Sequence, residues 1–194
     1  MLHNESNDDV ALPSWFDVLK LRTNVKVVFV DEWANEAGRE NRGFLGVDFC
    51  HSRNASVRII EYLLVSPSLA ITENVETNIS DFPKLIGPVY FSKKCESHKG
   101  LCHGGSMCAV MDDAIGWMGF CVSGIVRPWS GFTVQVNTSL KKAVCVGSTL
   151  KLEAWVNRID GSRKFWISCR LVNVDNGDIH CEAEGLFLLN SGDL

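Results

Sequence analysis

The sequence predicts an α+β fold in which a curved antiparallel sheet wraps around one long, buried helix. Three observations lead there. Between Gly104 and Phe120 the apolar residues Met107, Cys108, Val110, Met111, Ala114, Ile115, Trp117 and Met118 cover most of a helical circumference, the pattern of a helix enclosed on all sides. Residues 132–141 alternate: Phe132, Val134, Val136, Thr138 and Leu140 against Thr133, Gln135, Asn137, Ser139 and Lys141, which is the two-residue period of a strand. Beyond them, two turn signals, Asp160-Gly161-Ser162 and Asp175-Asn176-Gly177-Asp178, separate strand-like runs at 150–156, 165–174 and 179–189. Read in order, the four runs form an antiparallel meander.

The preceding elements follow from local chemistry. Ser14 is placed to cap a short helix through Trp15, Phe16 and Leu19, and Asp31-Glu32-Trp33 opens a polar helical stretch ending near Gly43. Phe44–Cys50 and Val57–Val65 are rich in β-branched and aromatic residues and read as strands. Residues 66–84, with Pro67 and Pro83, read as an irregular connection, and Leu85–Ser92 as a strand that Gly87-Pro88 forces to an edge or a bend. The expected division is an N-terminal cap over 1–43 and one α+β domain over 44–194.

Composition narrows the function. The 194 residues carry a net charge of −4, 22% charged and 46% hydrophobic residues, a balance that fits a folded globular domain. Mild acidity disfavours nucleic acid, whose phosphates need clustered cations. No stretch reaches the roughly 18 apolar residues needed to span a bilayer. No secretory or transit signal opens the chain, so a cytoplasmic location is expected and the eight cysteines are expected to be reduced and mostly core. Cys95-x-x-His98 beside Cys102-His103 has metal-like spacing, but no second pair follows, so no metal and no cofactor are expected.

Two features of the long helix stand out. Asp112 and Asp113 interrupt its apolar run, and a carboxylate there must be paired, hydrogen-bonded or reactive. Adjacent helical positions point about 100° apart, so the two cannot share one task. His103-Gly104-Gly105 opens the helix, where free backbone N–H groups and the dipole favour an anion or an oxyanion. Glycines there let a ligand approach the backbone closely.

The run His103-Gly104-Gly105-Ser106-Met107-Cys108-Ala109-Val110-Met111-Asp112, with the strands after it, resembles the hotdog-fold acyl-CoA thioesterase superfamily. Gly161–Cys169 and Glu182–Phe187 are most similar to the branch that contains the carboxyl-terminal modulator protein. The resemblance is good over about 85–189 and weak over 44–84. It implies that Asp112 is the general base or nucleophile and that the Gly104 N–H polarises the thioester carbonyl, with His103 holding the turn. It also implies that Thr133 positions water from the opposite subunit. Gly105, Ser139, Lys141, Arg163 and Lys164 then correspond to substrate and CoA contacts. The expected partners are acyl-CoA and a second copy, in a homodimer or tetramer with active sites at the interface. Mitochondrial association enters only through the resemblance.

Thr133, Ser139 and Lys141 are all odd-numbered and so share one face of an ideal strand, a track of roughly 26 Å suited to an extended pantetheine arm. One departure stands out. Some relatives have Asn six residues before the His, where this chain has Ser97. That leaves a non-catalytic acyl-CoA-binding module as the alternative reading.

Overall fold

The computed structural model describes residues 10–28, 50–51, 55–67 and 82–191. The elements are α1 (Ser14–Lys20), β1 (Val25–Val28), β2 (Val57–Ile59), β3 (Tyr62–Val65), β4 (Lys84–Phe91), the short hairpin β5 (Glu96–His98) and β6 (Leu101–Cys102), α2 (Gly104–Phe120), β7 (Gly131–Leu140), β8 (Thr149–Asp160), β9 (Lys164–Val172) and β10 (Ile179–Leu189). The main sheet is antiparallel and runs β1-β3-β4-β8-β9-β10-β7, with β2 also paired to β4. α2 packs against β2, β4, β7, β8, β9 and β10. The expected α+β class holds, in the hotdog arrangement of a sheet wrapped around one helix.

The core lies between that helix and the inward residues of the sheet. Val110, Met111, Ala114, Ile115 and Met118 are fully buried, as are Leu152, Ile167, Leu171, Cys181 and Phe187 from the strands. Each large side chain so buried contributes about 1.5–3 kcal/mol. Six of the eight cysteines (Cys50, Cys95, Cys102, Cys121, Cys169 and Cys181) are buried, whereas Cys108 and Cys145 are exposed. Burial pushes the Cys121 and Cys181 thiols up to about 12, so they act as small apolar groups.

Several sequence expectations are corrected. The run 57–65 is two strands, broken at Ile60–Glu61. β4 is interior: β8 lies on one side, and β2 and β3 share the other. Gly87-Pro88 is tolerated there because the neighbour changes from β2 to β3 at that point. A Cβ on Gly87 would sit 2.8 Å from the Glu61 carbonyl, and Pro88, which has no N–H to donate, accepts from Ile60 N at 3.4 Å. The last four strands are not one meander, because β7 pairs with β10 and lies at the sheet's far edge. Pro13, rather than Ser14, takes the cap position of α1. Part of the expected cap joins the sheet: β1 pairs with β3, and Phe16 of α1 is fully buried. The helix expected over 31–43, the strand over 44–49 and most of the connection at 66–84 lie outside the described residues.

The correction that matters most for the site is a β-bulge in β7. Leu186 of β10 pairs with Gln135, but Phe187 pairs with Thr133, leaving Val134 without an opposite residue. One extra residue exchanges the two faces of a strand. Thr133 therefore faces α2 together with Phe187. Beyond the bulge, Val136 and Thr138 take that side, with Gly185 and Ala183, while Asn137 and Ser139 align with Glu184 and Glu182 on the opposite side.

Candidate active site

The helix start is built as a capped turn. His103 is the N-cap of α2, and its Nδ1 accepts from Gly105 N at 2.9 Å. Its own N–H donates to the Cys95 carbonyl at 2.7 Å, tying the turn to the β5–β6 hairpin. With Nδ1 an acceptor, the proton of a neutral ring is on Nε2. Gly104 is the first helical residue, so its N–H has no carbonyl of the preceding turn to bond. A Cβ on Gly104 would come within 2.8 Å of Leu140 Cδ1.

Two turns further along α2, Asp112 opens into a groove of about 550 Å³ lined by Cys108, Asp112, Thr133, Val134, Gln135, Val136 and Thr138. Burial raises its carboxyl above the usual aspartate range, the charge of Asp113 raises it further, and a hydrogen bond from the Thr133 hydroxyl lowers it. Thr133 lies against the helix one turn beyond Asp112, 3.6 Å from where a Cβ on Gly116 would be. A carboxylate with raised proton affinity, a hydroxyl beside it and room for a ligand can activate a water or attack an electrophile.

The structure therefore groups the expected residues differently. Thr133 is beside Asp112 of its own chain, whereas the resemblance implied delivery from the opposite subunit. Gly104 and Asp112, eight residues apart on one straight helix, are separated by roughly 12 Å along the axis. An oxyanion donor must lie about 3 Å from the reacting oxygen. The two groups cannot act on one carbonyl within a single chain.

The expected CoA track is also divided. The bulge sets Thr133 and Ser139 on opposite faces of the sheet, so the single polar face inferred from odd numbering does not exist. Lys141 pairs with Glu182 at 3.4 Å, and its N–H donates to the His180 carbonyl. Arg163 Nε donates to the Leu189 carbonyl at 2.8 Å, and Lys164 sits opposite Leu188. From His180 to Leu188 is eight residues of β10, roughly 27 Å, so Lys141 and the Arg163–Lys164 pair lie at opposite ends of the sheet. Ser97 and His98 lie exposed on β5, and Trp129, at a φ of 67°, packs its ring 5.8 Å from Phe120. Among the described residues no group of three or more His, Cys, Asp and Glu is disposed to hold a metal ion.

Sequence reasoning missed the partners of the second carboxylate. Asp113 lies 2.9 Å from His51 Nε2 through each of its oxygens and accepts from the Tyr62 hydroxyl at 2.8 Å. The His51 side chain is only 4% exposed and Tyr62 is fully buried. The one signal available was Asp113 itself, a carboxylate in an apolar helix that had to have a partner.

Thr133→Val, nearly isosteric, removes only the hydroxyl bond to Asp112. Hydrogen bonds to charged groups are worth about 1.5–3 kcal/mol, so turnover at Asp112 is expected to fall ten-fold or more. Because Thr133 lowers the Asp112 carboxyl, the acid limb of the rate profile should also move to higher pH. An unchanged profile would remove Thr133 from the site.

No family model matches the chain. Over 89 residues it is 33% identical to acyl-coenzyme A thioesterase THEM4 of Bos taurus, covering 46% of this chain and 34% of that protein. Over 93 residues it is 28% identical to acyl-coenzyme A thioesterase THEM5 of Mus musculus, covering 48% and 35%. The chain thus spans about a third of the length of the curated relatives it matches. The solved structure of zebra fish thioesterase superfamily member 2 superposes with a TM-score of 0.49 at 17% identity, over 70% of this chain and 83% of that one. With α2 enclosed by an antiparallel sheet and just under half its sequence matched in this way, the chain is similar to the hotdog-fold acyl-CoA thioesterases.

Proposed function

We propose that the chain hydrolyses acyl-CoA thioesters to free CoA and a carboxylate, with Asp112 as general base or nucleophile. The observation that carries this reading is the pairing of Asp112 with Thr133 in an open groove, in a chain whose curated relatives are named acyl-coenzyme A thioesterases. As carbonyl carbon is attacked, negative charge develops on the oxygen, and a helix-start N–H such as that of Gly104 is the group to meet it. Since the two are roughly 12 Å apart in one chain, Gly104 of a second copy would serve Asp112 of the first. His103 then acts by holding the Gly104–Gly105 turn.

Two further observations support a homodimer. Among the described residues β7 is a ten-residue edge strand with β10 as its one neighbour, and a long unpaired edge invites pairing. It also exposes Phe132, Val134 and Leu140 at 52%, 47% and 51%, apolar surface that a second copy would cover. Whether Ser139, Lys141, Arg163 and Lys164 hold CoA then depends on which of them a neighbouring copy brings to the groove.

Subunit mixing tests the whole reading. Asp112→Asn removes the base. Gly104→Pro removes the N–H at a first helical position, where proline is accepted, and His103 before it is already extended, with ψ 134°. Each variant alone should release little thiol from a panel of acyl-CoAs. Refolded together in equal amounts they should recover up to about a quarter of the wild-type rate, since half the dimers are mixed and each holds one intact site. No recovery would show that Asp112 and the Gly104 N–H do not meet across two copies, and would overturn the reading. Binding of acyl-CoA by the wild type with no thiol released would favour the non-catalytic module.

A further inference from the structure

Asp113 is not part of the groove in which Asp112 lies. It points about 100° away around the helix, to the segment carrying His51 and to β3. There His51 Nε2 approaches both its oxygens at 2.9 Å and the Tyr62 hydroxyl donates to Oδ2 at 2.8 Å. Donors arriving from two sides leave the group with the acceptor-only role of an ionised carboxylate. The clamp is rigid. The rings of His51, Tyr62 and Trp117 pack mutually with centroids 5.8–6.1 Å apart, and the Asp113 side chain is 20% exposed.

Such a charge is felt by its neighbour. After burial, the charge of Asp113 is the next largest influence raising the Asp112 carboxyl. Among the described residues the other groups facing the pair are few. Cys108 stands one turn before Asp112 on α2, and β7 presents the uncharged Thr133. Cys50, beside His51 in sequence, and Cys169 of β9 face Tyr62. A purely structural link between α2, β3 and the His51 segment needs no charge, and a buried ion costs more than an apolar contact of the same shape.

We propose that Asp113, clamped by His51 and Tyr62, is a positioning residue for the reaction at Asp112: the clamp holds a negative charge in place beside the reactive carboxylate. The proposal rests on the thioesterase reading above. Asp113 touches neither substrate nor the attacking water. Its effect is to hold a proton on Asp112 more firmly, making the deprotonated form a stronger base at the cost of activity in acid.

The test is the pH profile of kcat/KM for thiol release from the acyl-CoA that the wild type turns over best, in the full chain, for wild type, Asp113→Asn and Tyr62→Phe. Asn keeps the shape and an acceptor but loses the charge, so its acid limb should move to lower pH while hydrolysis at the alkaline plateau is retained. Tyr62→Phe disturbs the same contacts while keeping the charge, so its limb should not move down. An unmoved limb in Asp113→Asn, or equal downward movement in both variants, overturns the proposal. A carboxyl ¹³C NMR titration of Asp112 in wild type and in Asp113→Asn, with Asp112 assigned from Asp112→Asn, needs no turnover. The Asp112 carboxyl should titrate at lower pH in Asp113→Asn than in wild type, and an unmoved step overturns the proposal. If the wild type releases no thiol from any acyl-CoA, the thioesterase reading fails and the carboxyl titration still decides whether Asp113 controls Asp112.

Discussion

Asp112→Asn is expected to lower thiol release by about 10²–10⁴-fold, the usual contribution of a positioned acid or base, and at the same time to make the protein more stable at neutral pH. The second effect follows from linkage. Burial and the Asp113 charge raise the Asp112 carboxyl in the folded chain, so between the unfolded value of about 3.9 and the raised folded value the native state binds more protons than the unfolded one. Stability contributed by this group therefore falls as pH rises through that window, and the loss persists above it. Asparagine carries no such penalty. The melting temperature of Asp112→Asn should exceed that of wild type at pH 7, and the gap should shrink towards zero below the unfolded value. A variant that is inactive but less stable at pH 7 would mean that Asp112 is a structural anchor. Full activity would displace it as the reactive group.

Gly185→Ala is the change expected to damage the framework most. On the helix-facing side of β10, a Cβ there would lie 2.5 Å from the Gln135 carbonyl and 2.6 Å from Ile115 Cδ1. Ile115 can rotate away only at the expense of the core, but the carbonyl belongs to the neighbouring strand and yields only if β7 moves. Overpacking of this kind typically costs about 1–3 kcal/mol, and the displaced residue borders the bulge that turns Thr133 towards Asp112. Urea denaturation should show a lower midpoint, and the surviving folded protein should have reduced kcat, because a shift of about 1 Å can cost 10²-fold. Wild-type stability in Gly185→Ala would show that β7 and β10 are not packed at this spacing. Loss of stability with unchanged kcat would show that the bulge does not govern Thr133.

Much of the fold was legible because its signals are local. The bounds of α2 are written in His103-Gly104-Gly105 and in an apolar run that no strand period explains, and those of β10 in its turn and alternation. The pairing of β7 was not legible, since a strand's own pattern does not name its neighbour. Nor was the bulge at Val134, which inverts the strand's faces midway although the sequence alternates without a break. The parity that placed Thr133, Ser139 and Lys141 together is sound for an ideal strand and fails after one inserted residue. Likewise Lys141, Arg163 and Lys164, grouped by the resemblance as CoA contacts, lie at opposite ends of the sheet once the lengths of the strands between them are counted.

By itself, then, the sequence determined the class of fold, the buried helix, its glycine start and the reactive candidate Asp112, because propensity, period and capping act over a few residues. Tertiary structure alone decided that Thr133 lies beside Asp112 of its own chain and that Asp113 is held by His51 and Tyr62. Those contacts join residues from 21 to 62 positions apart. They are fixed by how the sheet closes around the helix, a packing choice that no short stretch of sequence encodes.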